Sequence, residues 1–214
     1  MKLLLAACTF CLIFSSCAQS QQKPVNIPKG VEKLTASNEA VAYFAEGCFW
    51  HSEIVFQSLT GVRDAVSGYA GGKTNNPSYE DVTSGETGHA ETVQVFYDPK
   101  KISYSTLVNA FFASQDPTQL NRQGNDEGTQ YRSAAFYSNN DEKQVLEKTI
   151  SELTASKKNS GKIVTQVVPF TKFYPAEAYH QEYIAHNGNN PYVRNVSIPD
   201  FQHFKNSFKG NFKE

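Results

Sequence analysis

The segment Val41-Ala42-Tyr43-Phe44-Ala45-Glu46-Gly47-Cys48-Phe49-Trp50-His51-Ser52-Glu53-Ile54-Val55-Phe56-Gln57-Ser58-Leu59 changes its period part-way along. Residues 40–45 form a short apolar run with two aromatics, suited to a buried strand. Glu46-Gly47 interrupts it, and Trp50, Ile54, Val55 and Leu59 then recur at the spacing of one helix face. Gly61 stops that helix, and residues 62–69 read as a second strand. Working outward, residues 91–97 alternate as a strand and stop at Asp98-Pro99. Ser103 is placed to cap a helix carrying Leu107, Val108, Phe111 and Phe112, and residues 132–137 return as a strand. The order β-α-β-β-α-β is the split-βαβ or ferredoxin-like arrangement. Residues 139–156 add a helix carrying Val145, Leu146, Ile150 and Leu153, residues 162–168 a strand, and residues 176–186 a short helix. The expected fold is α/β (α+β): a two-layer sandwich of helices on a mixed sheet. From Asn187 the tail is rich in Asn, Phe and Lys and is expected to be irregular.

A chain of 214 residues suffices for one sizeable domain and a short appendage. Its net charge of -1 leaves no electrostatic footprint for nucleic acid. Cys8, Cys11 and Cys17 fall in a segment that reads as an export signal: Met1-Lys2, an apolar run from Leu3 to Phe14 too short to span a bilayer comfortably, then Ser15-Ser16. Ser15-Ser16-Cys17 resembles the lipobox of bacterial lipoproteins, with Phe14 where that box usually carries Leu. The expected division is therefore a signal over 1–17 ending at a lipidated Cys17, a tether over 18–39 and a domain over 40–214. The competing expectation is simple cleavage after Ala18. Composition supports the tether, because residues 18–37 hold Gln, Lys, Pro and Ser with too little apolar surface to fold alone. The protein is expected to be exported, membrane-anchored at the periplasmic or outer face, and monomeric. On either cleavage reading Cys48 is the free thiol of the domain.

Cys48 stands where a strand turns into a helix. There it meets unpaired backbone N–H groups and the positive end of the helix dipole, which favours a thiolate. A lone cysteine is more often inert, but the flanking glycine and the helix start favour function. Phe49 and Trp50 point in different directions, so one can pack in the core while the other lines an apolar pocket suited to a methyl group on sulfur. If Val93 and Val95 face the core, a period of two puts Glu91 on that face, where desolvation would raise its pKa and make it a proton donor. Its place at the strand end equally allows it to reach solvent. A rival set is Cys48, His89 and Asp126, the nucleophile, base and orienting carboxylate of an exported cysteine hydrolase or acyltransferase. A third reading is a binding lipoprotein in which Cys48 is incidental.

Two other patterns fail on inspection. Gly72-Lys73-Thr74 ends a near miss of a phosphate-binding loop, with Ser67 at the first glycine position and Asn75-Asn76-Pro77 barring the helix that must follow. The histidines lack metal-ligand spacing: His180 and His186 are not four apart, and no second thiol accompanies Cys48. No metal and no bound cofactor are expected.

Gly47-Cys48-Phe49-Trp50, Gly68-Tyr69-Ala70-Gly71-Gly72, Asn76-Pro77-Ser78-Tyr79, Gly88-His89-Ala90-Glu91, Tyr97-Asp98-Pro99, the run from Gly124 to Ser133, and His180-Gln181-Glu182-Tyr183 occur in that order. This ordered set closely resembles the peptide methionine sulfoxide reductases of the A type. The resemblance implies reduction of methionine-S-sulfoxide, free or in peptides and proteins. It also implies Cys48 as nucleophile, Phe49 and Trp50 as the methyl pocket, and Glu91 as acid. Tyr79 and Tyr131 would bond the sulfoxide oxygen, and Asp126 would help to hold the site and a water. Attack by Cys48 would leave a sulfenic acid, the reversible first rung of thiol oxidation. His51 departs from the small residue many members carry, and residues 188–214 lack the resolving cysteines of many members. The sulfenic acid would then need an external thiol: a thioredoxin-like protein, a glutaredoxin or a small thiol.

Overall fold

A computed structural model describes residues 38–156 and 161–213. The expected signal over 1–17, with Cys17, and the tether apart from its last two residues lie outside the described residues. The first strand, β1 (Ala40–Glu46), splits its side chains between two clusters, as a period of two dictates. Ala42 and Phe44 join the main core under the helices, while Tyr43 and Ala45 join a smaller cluster on the other face of the sheet. Gly47 then turns the chain into α1 (Phe49–Gln57), which buries Val55 and Phe56 against that main core. After Gly61 come β2 (Val62–Ala70), the short α2 (Tyr79–Thr83) and β3 (Ala90–Tyr97). Ser103 caps α3 (Tyr104–Ala113) by accepting from the Thr106 N–H, as its position predicts.

Two short strands, β4 (Arg122–Gln123) and β5 (Asp126–Glu127), form a small hairpin ahead of β6 (Ser133–Tyr137) and α4 (Asn140–Ser156). The main sheet also takes in β7 (Gln166–Pro169) and β8 (Phe173–Pro175), giving the order β7-β6-β1-β3-β2-β8. The central quartet β6-β1-β3-β2 is antiparallel throughout, the strand order of the expected split-βαβ unit. β7 lies parallel to β6, which makes the sheet mixed, and β8 lies antiparallel to β2.

Departures from the expected elements lie mostly in the C-terminal third. The strand expected over 162–168 is displaced to β7, because the Val164 N–H donates to the Pro117 carbonyl of a loop instead of a sheet neighbour. The single helix expected over 176–186 is broken into a 3-10 turn (Ala178–His180) and α5 (Tyr183–His186). Gln181 causes the break by bonding both the N–H and the carbonyl of Ser67 on β2. Glu182 follows in the left-handed region, with a φ of 51°. The tail expected to be irregular instead forms a π-helical turn (Val193–Ser197) continuing into α6 (Ile198–Ser207). Phe204 of α6 is buried in the main core, and α6 packs on α1. Among the described residues no helix is long and apolar enough to cross a membrane.

Candidate active site

Gly47 is required at the β1–α1 turn on two counts. Its φ is 103°, and a Cβ there would lie 2.6 Å from the Gln123 Cβ. The turn makes Cys48 the N-cap of α1, with its carbonyl accepting from the N–H groups of His51 and Ser52 at 3.1 and 3.3 Å. The expected lowering of the thiol pKa is only partly present. The backbone N–H groups of Trp50 and His51 do pull it down, but burial, followed by the carboxyls of Glu91 and Asp126, pushes it well above the ordinary thiol value. Resting Cys48 is thus a neutral thiol. It is half-buried and reachable from a cavity beside it.

Glu91 lies on the core face with Val93 and Val95, resolving the alternatives that its strand position left open, and is 2% exposed. Its Oε2 accepts the N–H of Phe49, the residue after Cys48, at 3.0 Å. Burial raises its pKa to about 8, only partly offset by that N–H, and the charge of Asp126 adds to the rise. At neutral pH Glu91 therefore holds a proton beside the nucleophile.

The aromatic groups form a connected wall. Phe49 is buried and Trp50 half-buried, the division expected of adjacent positions. The Trp50 indole stacks on Tyr183 with centroids 3.7 Å apart and donates from Nε1 to His180 Nδ1 at 3.1 Å. His180 in turn packs on Tyr79 at 4.4 Å and on Phe49 at 5.1 Å. Burial, then Glu91 and Cys48, push the Tyr79 hydroxyl up to about 12. Tyr131 is raised by burial and by Glu91, Tyr79, Asp126 and Cys48, so the structure brings these groups into one electrostatic neighbourhood. Both hydroxyls stay protonated at neutral pH and can donate.

Asp126, on β5, accepts a short hydrogen bond from the Tyr192 hydroxyl. Burial raises its pKa and that bond lowers it. Sequence reasoning assigned no role to Tyr192, His180 or Glu177. Glu177 accepts from the Tyr69 hydroxyl at 3.0 Å and from the Tyr79 N–H at 2.9 Å, tying the start of α2 to the sheet. Glu53, buried in α1, accepts from Ser67 Oγ and from the N–H of Glu182, fixing the segment that carries His180 and Tyr183. No local period marks these residues. Their positions follow from tertiary hydrogen bonds.

His89 is not free to serve as the base of a hydrolase. Its Nδ1 accepts from the Gly72 N–H at 3.1 Å, which leaves the proton on Nε2, directed to the Thr74 carbonyl at 2.8 Å. Gly72 packs so closely on the ring that a Cβ there would lie 2.4 Å from it. His89 is a loop clamp. Among the described residues, no group of three His, Cys, Asp or Glu side chains could hold a metal ion.

The family model for peptide methionine sulfoxide reductase matches residues 40–212. The chain belongs to this family. A relative from Rhodopirellula baltica, "Peptide methionine sulfoxide reductase MsrA 1", is 45% identical over 183 residues, covering 86% of this chain and 94% of its own. Another, from Nautilia profundicola, is 50% identical over 163 residues, covering 76% of this chain and 92% of its own. The reduced form of Mxr1 from Saccharomyces cerevisiae superposes with a TM-score of 0.69 at 36% identity, over 74% of this chain and 91% of that one. The chain is accordingly an oxidoreductase that reduces methionine sulfoxide and acts in protein repair. The hydrolase reading is set aside by His89 and by the family together.

Proposed function

We propose that Cys48 carries out this reduction on the S epimer, free or in peptides and proteins, with Glu91 as acid. The observation that carries the reading is the buried carboxyl of Glu91, which accepts the N–H next to the nucleophile and whose pKa burial raises to about 8. The substrate methyl group lies against Phe49 and Trp50, and the oxygen accepts from Tyr79 and Tyr131. Charge grows on that oxygen in the transition state, where fixed donors contribute most. Cys48 attacks the substrate sulfur as Glu91 protonates the oxygen, and the thiol proton replaces the one Glu91 gives up. Asp126, braced by Tyr192, holds a water at the edge of the site. The net step is Cys48–SH plus sulfoxide giving Cys48–SOH plus thioether, with atoms and protons in balance. The other cysteines, Cys8, Cys11 and Cys17, precede the domain. Reduction of the sulfenic acid therefore falls to an external thiol: a thioredoxin-like protein, a glutaredoxin or a small thiol.

The test supplies dithiothreitol and a peptide bearing each sulfoxide epimer. Turnover of the S epimer, lost in Cys48→Ser, is expected. Turnover of the R epimer alone, or activity that survives Cys48→Ser, overturns the reading.

Export and anchoring are proposed on residue pattern alone: the basic start, the apolar run and Ser15-Ser16-Cys17. On this reading 1–17 is a signal, Cys17 carries the lipid, 18–39 is a tether and a monomeric domain faces the periplasm or cell exterior. Palmitate labelling that persists in Cys17→Ala overturns the anchor.

A further inference from the structure

A cavity of about 470 Å³ opens on Cys48 between the start of α1, the end of α3, the β4–β5 hairpin and the chain from Tyr192 into α6. Cys48 and Asp126 line it, whereas Phe49, Trp50, Tyr79, Glu91 and Tyr131 do not. It is thus a second approach to the sulfur, separate from the wall that receives the sulfoxide. We infer that this cavity binds the small thiol that resolves the Cys48 sulfenic acid, and that it selects a cationic aminothiol. The inference deepens the proposed function and rests on its sulfenic acid intermediate.

Polarity around this cavity is left unpaired. Among the described residues, Glu46 Oε1 and Ser197 Oγ are buried without hydrogen-bond partners, and both residues line the cavity. Glu46 and Ser197 are each 1% exposed. A buried polar group without a partner is costly, so the wall favours a polar occupant. The backbones of Ser114 and Ser197 and the carboxylate of Asp200 lie around His51, which also lines the cavity. Burial lowers the His51 pKa, so the ring sets no positive charge against the carboxylates of this wall.

Charge points the same way. Asp116, Asp126 and Asp200 line the cavity, and among the described residues no Lys or Arg does. Glu46 adds no charge near neutrality, because burial raises its pKa to about 8. A cleft lined by one sign of charge concentrates its counter-ion. A thiol bearing carboxylates is disfavoured there, although the volume would admit it.

On the proposed mechanism the oxygen of Cys48–SOH is the one bound by Glu91 and the tyrosines. A thiol in line with its departure therefore approaches from the side away from them, and the cavity reaches Cys48 without those residues. R–SH attacks to form Cys48–S–S–R, and the hydroxyl leaves as water with the thiol proton. A second R–SH then releases Cys48–SH and R–S–S–R, so two thiols supply the two electrons.

The test begins by oxidising Cys48 with one equivalent of sulfoxide peptide and measuring methionine release, which examines the underlying reading alone. Resolution is then followed with cysteamine, 2-mercaptoethanol and 3-mercaptopropionate, with rates corrected for thiolate fraction. Cysteamine is expected to saturate and, at low concentration, to outpace the neutral thiol by about tenfold and the anionic thiol by more. Asp200→Asn and Asp116→Asn should reduce that preference while leaving methionine release intact, which also shows that the variants are folded. Rates linear in concentration that follow thiol pKa alone overturn the inference, as does a preference unchanged in both variants. A second arm needs no sulfenic acid: reduced Cys48 is challenged with cystamine, 2-hydroxyethyl disulfide and dithiodipropionate. The same charge order is expected there, and its absence overturns the cavity assignment even where methionine release fails.

Discussion

Glu46 and Glu91 are two carboxyls in nearly equivalent places with different prospects. They stand on neighbouring antiparallel strands, β1 and β3, at the same end of the sheet and on its helix-covered face. Both are almost fully buried, and burial raises each pKa to about 8. They differ in what they face. Glu91 accepts the N–H of Phe49 and shares the neighbourhood of Tyr79 and Tyr131, where a sulfoxide oxygen is bound. Glu46 accepts from Ser114 Oγ at 2.8 Å, its other oxygen is buried without a partner, and the residue lines the cavity beside Cys48. A proton held near neutral pH is therefore not enough to make a general acid. The donor must also meet the atom on which charge develops.

The largest expected effect breaks the pair apart. Glu91→Gln should slow methionine release by about 10²- to 10⁴-fold, the usual contribution of a positioned general acid. Glu46→Gln should change the same step by less than about threefold, because that carboxyl does not meet the oxygen on which charge develops. The pH dependence sharpens the contrast. Glu91 acts protonated, so release in the wild type should fall as pH rises through about 8. That descending limb should persist in Glu46→Gln and vanish from the residual rate of Glu91→Gln. Equal losses in the two variants, read by single-turnover quench, would remove the distinction.

A smaller effect is expected at the tyrosines, which belong to the Glu91 side only. Tyr131→Phe and Tyr79→Phe each remove one donor to the oxygen. The bond strengthens as charge develops there, so release should slow by about 10- to 100-fold with little change in KM. A change confined to KM would mean that the hydroxyls serve ground-state binding. Glu46→Gln provides the control, because it should move neither parameter.

The two sides of Cys48 were unequally legible in the sequence. Glu91 was half-readable, since the parity of Val93 and Val95 offered the core face while its place at the strand end offered solvent. The six-element core was readable from periods that local pattern shows directly. Cys48 was readable as a nucleophile at a helix start, yet its pKa was misread. The helix effect is local, whereas the burial and the two carboxyls that outweigh it come from other segments. Tyr192, His180 and Glu177 lie where the chain follows tertiary bonds, such as Gln181 to Ser67 and Glu182 to Glu53, and not a period of its own. The cavity is hidden for the same reason, since its outer wall is α6. Phe201, Phe204 and Phe208 do recur at helical spacing there, a cue outweighed by the surrounding polar residues.

The smallest effect concerns stability, and here the two carboxyls should behave alike. Each has a folded pKa raised from the carboxylate range to about 8, so between those values the folded state holds a proton that the unfolded state has released. The stabilisation is fully present below the unfolded pKa and is lost as pH rises through about 8. One such group contributes a slope of about 1.4 kcal/mol per pH unit at most across that window. Glu46→Gln keeps an acceptor for Ser114 and removes the titration, so its unfolding free energy should decline less steeply from pH 5 to pH 8. Urea titrations at several pH values read this directly. The same flattening in Glu91→Gln, together with its large loss of rate, would separate what burial does to a carboxyl from what its neighbours make of it. A wild-type slope retained in Glu46→Gln would mean that Glu46 is solvated, and the cavity wall would lose one of its unpaired groups.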